Sequence, residues 1–110
     1  MEFDVAIVGA GAAGLLAAYE LSERSKLKII VIEEGHDVAD RKCPARAITI
    51  CTKCRPCNIL SGVGGAGTYS SGLLNLNPYI GGDLTEFTET EDEAWKLVRR
   101  VDGIFKESGA

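Results

Sequence analysis

The sequence predicts an α/β fold that opens on a parallel strand–helix–strand unit, and three observations predict it. Asp4-Val5-Ala6-Ile7-Val8 is an apolar run rich in β-branched residues, which suits a buried strand. Gly9-Ala10-Gly11-Ala12-Ala13-Gly14 follows at once. This G-x-G-x-x-G pattern runs straight into the helix formers Leu15-Leu16-Ala17-Ala18-Tyr19-Glu20-Leu21. Lys28-Ile29-Ile30-Val31-Ile32 is a second apolar run, and it ends on Glu33-Glu34.

Each glycine of the pattern has its own task. Gly9 permits the tight turn out of the strand, Gly11 lets a pyrophosphate approach the backbone, and Gly14 lets the helix pack closely. Phosphates then meet the N–H groups at the start of the helix, from Gly9 to Gly14. Glu33 stands nineteen residues beyond Gly14, where a carboxylate accepts hydrogen bonds from ribose hydroxyls. A carboxylate there would repel a 2′-phosphate and so argues against an NADP-type ligand. An ordinary glycine-rich turn is the other reading of the pattern. The strand before it, the helix after it and the acid at the right distance favour dinucleotide binding.

The chain has 110 residues, 45% hydrophobic and 25% charged, with a net charge of −4. These are ordinary proportions for a globular protein. The acidic balance and the lack of a basic cluster argue against a nucleic-acid partner, and no apolar run approaches a membrane span. Met1-Glu2-Phe3-Asp4 is no secretory signal, so a cytoplasmic location is expected. A dinucleotide fold needs several parallel strands, and one βαβ unit is only its first part. The expectation is an incomplete Rossmann-like fold, the N-terminal piece of a longer protein. Its parts are a βαβ unit over 1–35, a cysteine-rich insert over 36–60, a glycine-rich loop over 61–87 and a helix over 88–110.

In the insert, His36 reads as a solvated loop residue. Arg41 and Lys42 suit a phosphate, but a short mixed-charge stretch is more often a solvated face. Cys43, Cys51, Cys54 and Cys57 follow with the spacing C-x7-C-x2-C-x2-C, and Ala47-Ile48-Thr49-Ile50 between them reads as a short strand. Four thiolates suit a tetrahedral zinc or an iron–sulfur cluster, and this reading carries the most weight. A redox-active Cys54–Cys57 pair and four free thiols buried as small hydrophobes fit the same spacing.

Ser61 to Gly72 contains five glycines. Consecutive backbone N–H groups in such a loop can form an anion-binding nest; a flexible linker is the plainer reading. The apolar Leu73-Leu74-Asn75-Leu76 looks ordered and speaks against the linker, and Asn77-Pro78-Tyr79-Ile80-Gly81-Gly82-Asp83 supplies turn chemistry. The last element is the best-specified helix. Thr90-Glu91-Asp92-Glu93 forms a capping box, and Ala94, Leu97, Val98, Val101, Ile104 and Phe105 make one apolar stripe for packing.

Asp4 through Ala18, with Val31-Ile32-Glu33-Glu34-Gly35, resembles the start of the FAD-dependent oxidoreductases related to glutathione reductase and succinate dehydrogenase flavoproteins. Cys43-Pro44 and Cys51-Thr52-Lys53-Cys54-Arg55-Pro56-Cys57, leading into Ser61-Gly62-Val63-Gly64-Gly65-Ala66-Gly67, are similar to uncharacterised FAD-dependent dehydrogenases with a cysteine cluster and a Gly-Gly-Ala-Gly loop. The resemblance implies FAD as cofactor, with its pyrophosphate at Gly9, Ala10, Gly11, Ala12, Ala13 and Gly14. It implies the adenosine ribose at Glu33, beside Glu34 and Gly35, and the flavin side at Gly64, Gly65, Ala66 and Gly67. The activity it implies is hydride or electron transfer with a small-molecule or redox-protein substrate. An NAD-binding dehydrogenase half-domain, a disulfide reductase using Cys54 and Cys57, and a non-catalytic zinc-stabilised interaction module are the rival readings. A fragment of this kind is also expected to self-associate.

Overall fold

Strands β1 (Val5–Val8) and β2 (Ile29–Ile32) pair in parallel, Val5 opposite Ile29 and Val8 opposite Ile32. A parallel pair needs a crossover, and helix α1 (Ala12–Arg24) provides it. The computed structural model describes residues 1–110. Asp4 and Lys28, read above as strand residues, instead clamp the open end of the pair. The Asp4 carboxylate accepts from Lys28 N at 2.7 Å, and Asp4 N donates to Lys28 O at 2.9 Å. The sheet has two strands only, so the edge of β1 away from β2 carries no partner strand.

The chain forms two units, Met1–Gly72 and Leu73–Ala110. In the first, a short 3-10 turn at Val38–Asp40 follows β2, capped by the Asp37 carboxylate accepting from Val38 N. The segment read as a strand around Ile48 is helix α2 (Ala45–Ile48), which ends at Thr49 in the left-handed region, φ 57°. Pro44 enters that turn at φ −59°, a value its ring prefers. Isoleucine and threonine propensity is no match for a segment with no strand to pair with. A second 3-10 turn spans Ala66–Tyr69.

In the second unit, Leu73, Leu74 and Leu76 form no regular element and stand exposed, against the ordered stretch expected of them. A 3-10 turn at Leu84–Phe87 packs against helix α3 (Glu91–Glu107). The helix starts as its sequence requires, Thr90 Oγ1 accepting from Glu93 N at 3.2 Å. The return bond falls one residue earlier than in the standard box, Glu93 Oε2 accepting from Glu89 N at 2.9 Å. Along the expected stripe Ala94 and Ile104 are buried while Leu97 is 50% exposed. Across both units the buried apolar residues are Ala10, Pro78, Ala94 and Ile104. No helix is long and apolar enough to cross a membrane.

Candidate functional site

The site lies where β1 and β2 end. Gly9 turns the chain at φ +96°, a conformation that side chains rarely adopt. Two residues on, α1 begins from Gly11 with no side-chain cap and no acid in its first turn. Its first N–H groups are therefore left to whatever approaches. A Cβ at Gly11 would meet nothing within 4 Å, whereas one at Gly14 would overlap the carbonyl oxygen of Gly9 and touch Ile7 Cγ2 at 3.3 Å. Gly11 thus faces open space, and Gly14 seats α1 on β1.

Glu33 does more than close β2. Its Oε2 accepts from Ala10 N at 2.7 Å, and its Oε1 accepts from Gly35 N at 3.0 Å and Gly62 N at 2.8 Å. One carboxylate so joins the first glycine-rich turn, the end of β2 and the distant glycine-rich loop. These N–H bonds, the one from Ala10 first, hold the carboxyl below its ordinary pKa; the positive charge of Arg41 acts the same way. A carboxylate offers about four acceptor positions, and one on Oε2 is left over. Beside it, Glu34 Oε1 accepts from Ser61 Oγ at 2.7 Å.

The glycine-rich loop is docked on the first turn. Gly64 N donates to Ala10 O at 2.8 Å and Val63 N to His36 O at 3.0 Å. Gly35 lies so close to Gly62 that a Cβ there would sit 2.6 Å from its Cα. Between the strand ends and this loop opens a cleft of about 460 Å³, lined by Val8, Gly9, Gly11, Ile32, Glu33, Glu34, Leu60, Ser61, Gly62 and Gly65.

The sequence-derived residues divide accordingly. Gly9, Gly11, Glu33, Glu34 and Gly65 line the cleft. Ala10, Gly14, Gly35 and Gly64 hold its walls together from behind. Ala12, Ala13, Ala66 and Gly67 are exposed and do not line it.

Arg41 overturns its reading as part of a solvated face: it is 3% exposed. Nε donates to Asn58 O at 2.9 Å and Nη2 to Ile59 O at 2.8 Å. Nη1 donates to Val63 O at 2.8 Å, Gly65 O at 2.9 Å and Thr68 Oγ1 at 3.3 Å. The Tyr69 ring lies 4.9 Å from the guanidinium, and the Tyr69 hydroxyl donates to Arg41 O. Sequence reasoning missed this residue because one arginine in a mixed-charge stretch looks like any other. The usable signal was a long glycine-rich loop whose carbonyls had no ladder to join.

The cysteines show no bridge and no shared site. Cys43, Cys51, Cys54 and Cys57 are all free thiols, Cys51 and Cys54 exposed. No three Cys, His, Asp or Glu side chains stand together in a way that could hold a metal ion. Their sulfurs are used locally instead. Cys51 Sγ accepts from Lys53 N at 3.4 Å, and Cys54 Sγ shares a hydrogen with Thr52 Oγ1 at 3.1 Å. The N–H groups of Leu60 and Ile59 draw the Cys57 thiol below its usual pKa. The x2 spacing predicts turns that present thiols; here Cys51 and Cys57 are engaged by nearby backbone N–H groups and Cys54 by the Thr52 hydroxyl. In this arrangement the four thiols do not form a zinc or cluster site.

Residues 4–52 match the family model described as FAD dependent oxidoreductase. Over this segment the chain is similar to the FAD-dependent oxidoreductases. The match contains β1, α1, β2, Glu33 and Arg41, and stops before the glycine-rich loop. FAD is the cofactor that goes with the family. A 36-residue stretch is 56% identical to a protein of Acanthamoeba polyphaga mimivirus, named as a truncated and inactive oxidoreductase of the GMC type. The matched stretch is 33% of this chain and 8% of that protein, so the chain spans a small part of its relative's length. No solved structure matches the chain significantly.

Proposed function

We propose that residues 1–110 form the N-terminal part of one Rossmann-like FAD-binding domain, serving a flavin-dependent oxidoreductase. The observation that carries this reading is the cleft at the ends of β1 and β2, where an uncapped α1 start, the open space beside Gly11 and the Glu33 carboxylate meet. In this reading the pyrophosphate lies at Gly9 to Gly14, held by first-turn N–H groups. The adenosine ribose reaches Glu33 beside Glu34 and Gly35. Because Glu33 already accepts three backbone N–H groups, it takes one ribose hydroxyl on Oε2 rather than two. The flavin side runs past Gly65 toward Gly64, Ala66 and Gly67. Bound FAD would supply hydride or electron transfer through its isoalloxazine, with the protein orienting it. The substrate in this reading is a small molecule or a redox protein.

A flavin titration of a full-length version, of which these residues are read as the N-terminal part, tests the proposal. FAD is expected to bind, and Gly11→Val is expected to fold yet lose FAD, since a branched side chain would fill the space of the pyrophosphate. Binding of NAD in place of FAD, or undiminished FAD affinity in Gly11→Val, would overturn it.

A further inference from the structure

We infer that Arg41 is a positioning residue: from behind the glycine-rich loop it sets the shape of the wall that the cofactor meets. The inference rests on the FAD-binding reading for the word cofactor, and on the geometry of this chain for the rest.

The segment from Asn58 to Thr68 has no strand and only one short 3-10 turn, so its carbonyls need donors from elsewhere. Four of them, from Asn58, Ile59, Val63 and Gly65, converge on the one guanidinium. Nη1 alone reaches the carbonyls on both sides of Gly64, so the backbone wraps around the cation. Gly62, at φ +116°, passes so near that a Cβ would sit 2.7 Å from Arg41 Cδ and 2.9 Å from Nε.

The other face of the same loop meets the site. Gly62 N goes to Glu33 and Gly64 N to Ala10 O, while Gly65 stands against Gly11, where an added Cβ would lie 3.0 Å from its Cα. Carbonyls turned to Arg41 and N–H groups turned to the first turn are two consequences of one backbone orientation. No salt bridge balances the buried charge; carbonyl dipoles do so, as burial of a cation demands. Lysine cannot replace it. An ammonium has three donors on one nitrogen, and these acceptors are spread around the edge of a planar fork.

The test uses the full chain and three forms: parent, Arg41→Lys and Arg41→Gln. Amide hydrogen exchange reads the loop without reference to flavin. In both variants the Gly62 and Gly64 amides are expected to exchange at least about tenfold faster, the loss of one or more bonds to a charged donor. Amides in α1 and β2 are expected to keep their parental rates. The FAD dissociation constant is expected to rise by about tenfold or more in Arg41→Lys as well, although charge is retained. Parental exchange at Gly62 and Gly64 in Arg41→Lys would overturn the inference, as would uniform acceleration across α1 and β2, which marks general unfolding. If the parent itself binds no FAD while the exchange pattern holds, the cofactor reading fails and the positioning of the loop by Arg41 stands.

Discussion

At the scale of single residues, two glycines three positions apart have opposite tolerances. Gly14→Ala forces a methyl group into the carbonyl of Gly9 and against Ile7. It should separate α1 from β1 at a cost of roughly 1–3 kcal/mol, the usual range for overpacking. Gly11→Ala meets open space and should leave stability nearly unchanged; urea unfolding of the two variants reads the difference. Glu33 makes a different prediction. Its carboxyl is held below its ordinary pKa by the N–H groups of Ala10, Gly35 and Gly62. The ionised form therefore stabilises the folded state. That contribution is complete above the ordinary carboxyl value and is lost as pH falls through the lowered folded value. Glu33→Gln should melt lower than the parent at neutral pH, with the gap closing in acid below about pH 4. A gap that stays constant with pH would show that the charge plays no part.

At the scale of elements, α3 is held by local chemistry and α1 by tertiary fit. Thr90 and Glu93 cap α3, its first turn holds Glu91, Asp92 and Glu93, and Asp92 pairs with Lys96 at 2.8 Å. That exposed pair contributes little, so the cap is the feature to remove. Thr90→Ala should destabilise α3 by about 1 kcal/mol, visible as lost helical circular dichroism on mild heating. Helix α1 has neither a capping side chain nor a first-turn acid. Its start is instead seated by Gly14 on Gly9, with no side chain capping its first N–H groups.

At the scale of the whole molecule, the apolar surface left outside is large for 110 residues. Val8 is 84% exposed, Leu73 77% and Phe87 82%, and β1 offers an unpaired edge. Exposed edges and apolar patches favour association. Sedimentation of the chain should therefore show concentration-dependent self-association. A monodisperse monomer at all concentrations would contradict it.

The features that periodicity and local spacing govern were legible in the chain itself. β1, α1 and β2 follow from the alternation of apolar runs with Gly9-Ala10-Gly11-Ala12-Ala13-Gly14, and the start of α3 follows from Thr90 and Glu93. Each announces itself in residues a few positions apart, which a linear reading can see, although β1 and β2 then pair across 24 positions. The segment over 36–72 depends on long-range partners and was not legible in the same way. A strand reading for Ile48 gave way to α2 because no neighbouring strand was there to pair with it. The four cysteines share a spacing, yet the fold brings no three of them together with a geometry for a metal ion. Arg41 is the sharpest case. Nothing adjacent to it in sequence marks it, since its acceptors stand 17 to 27 positions away, and only the folded chain brings those carbonyls around one buried guanidinium.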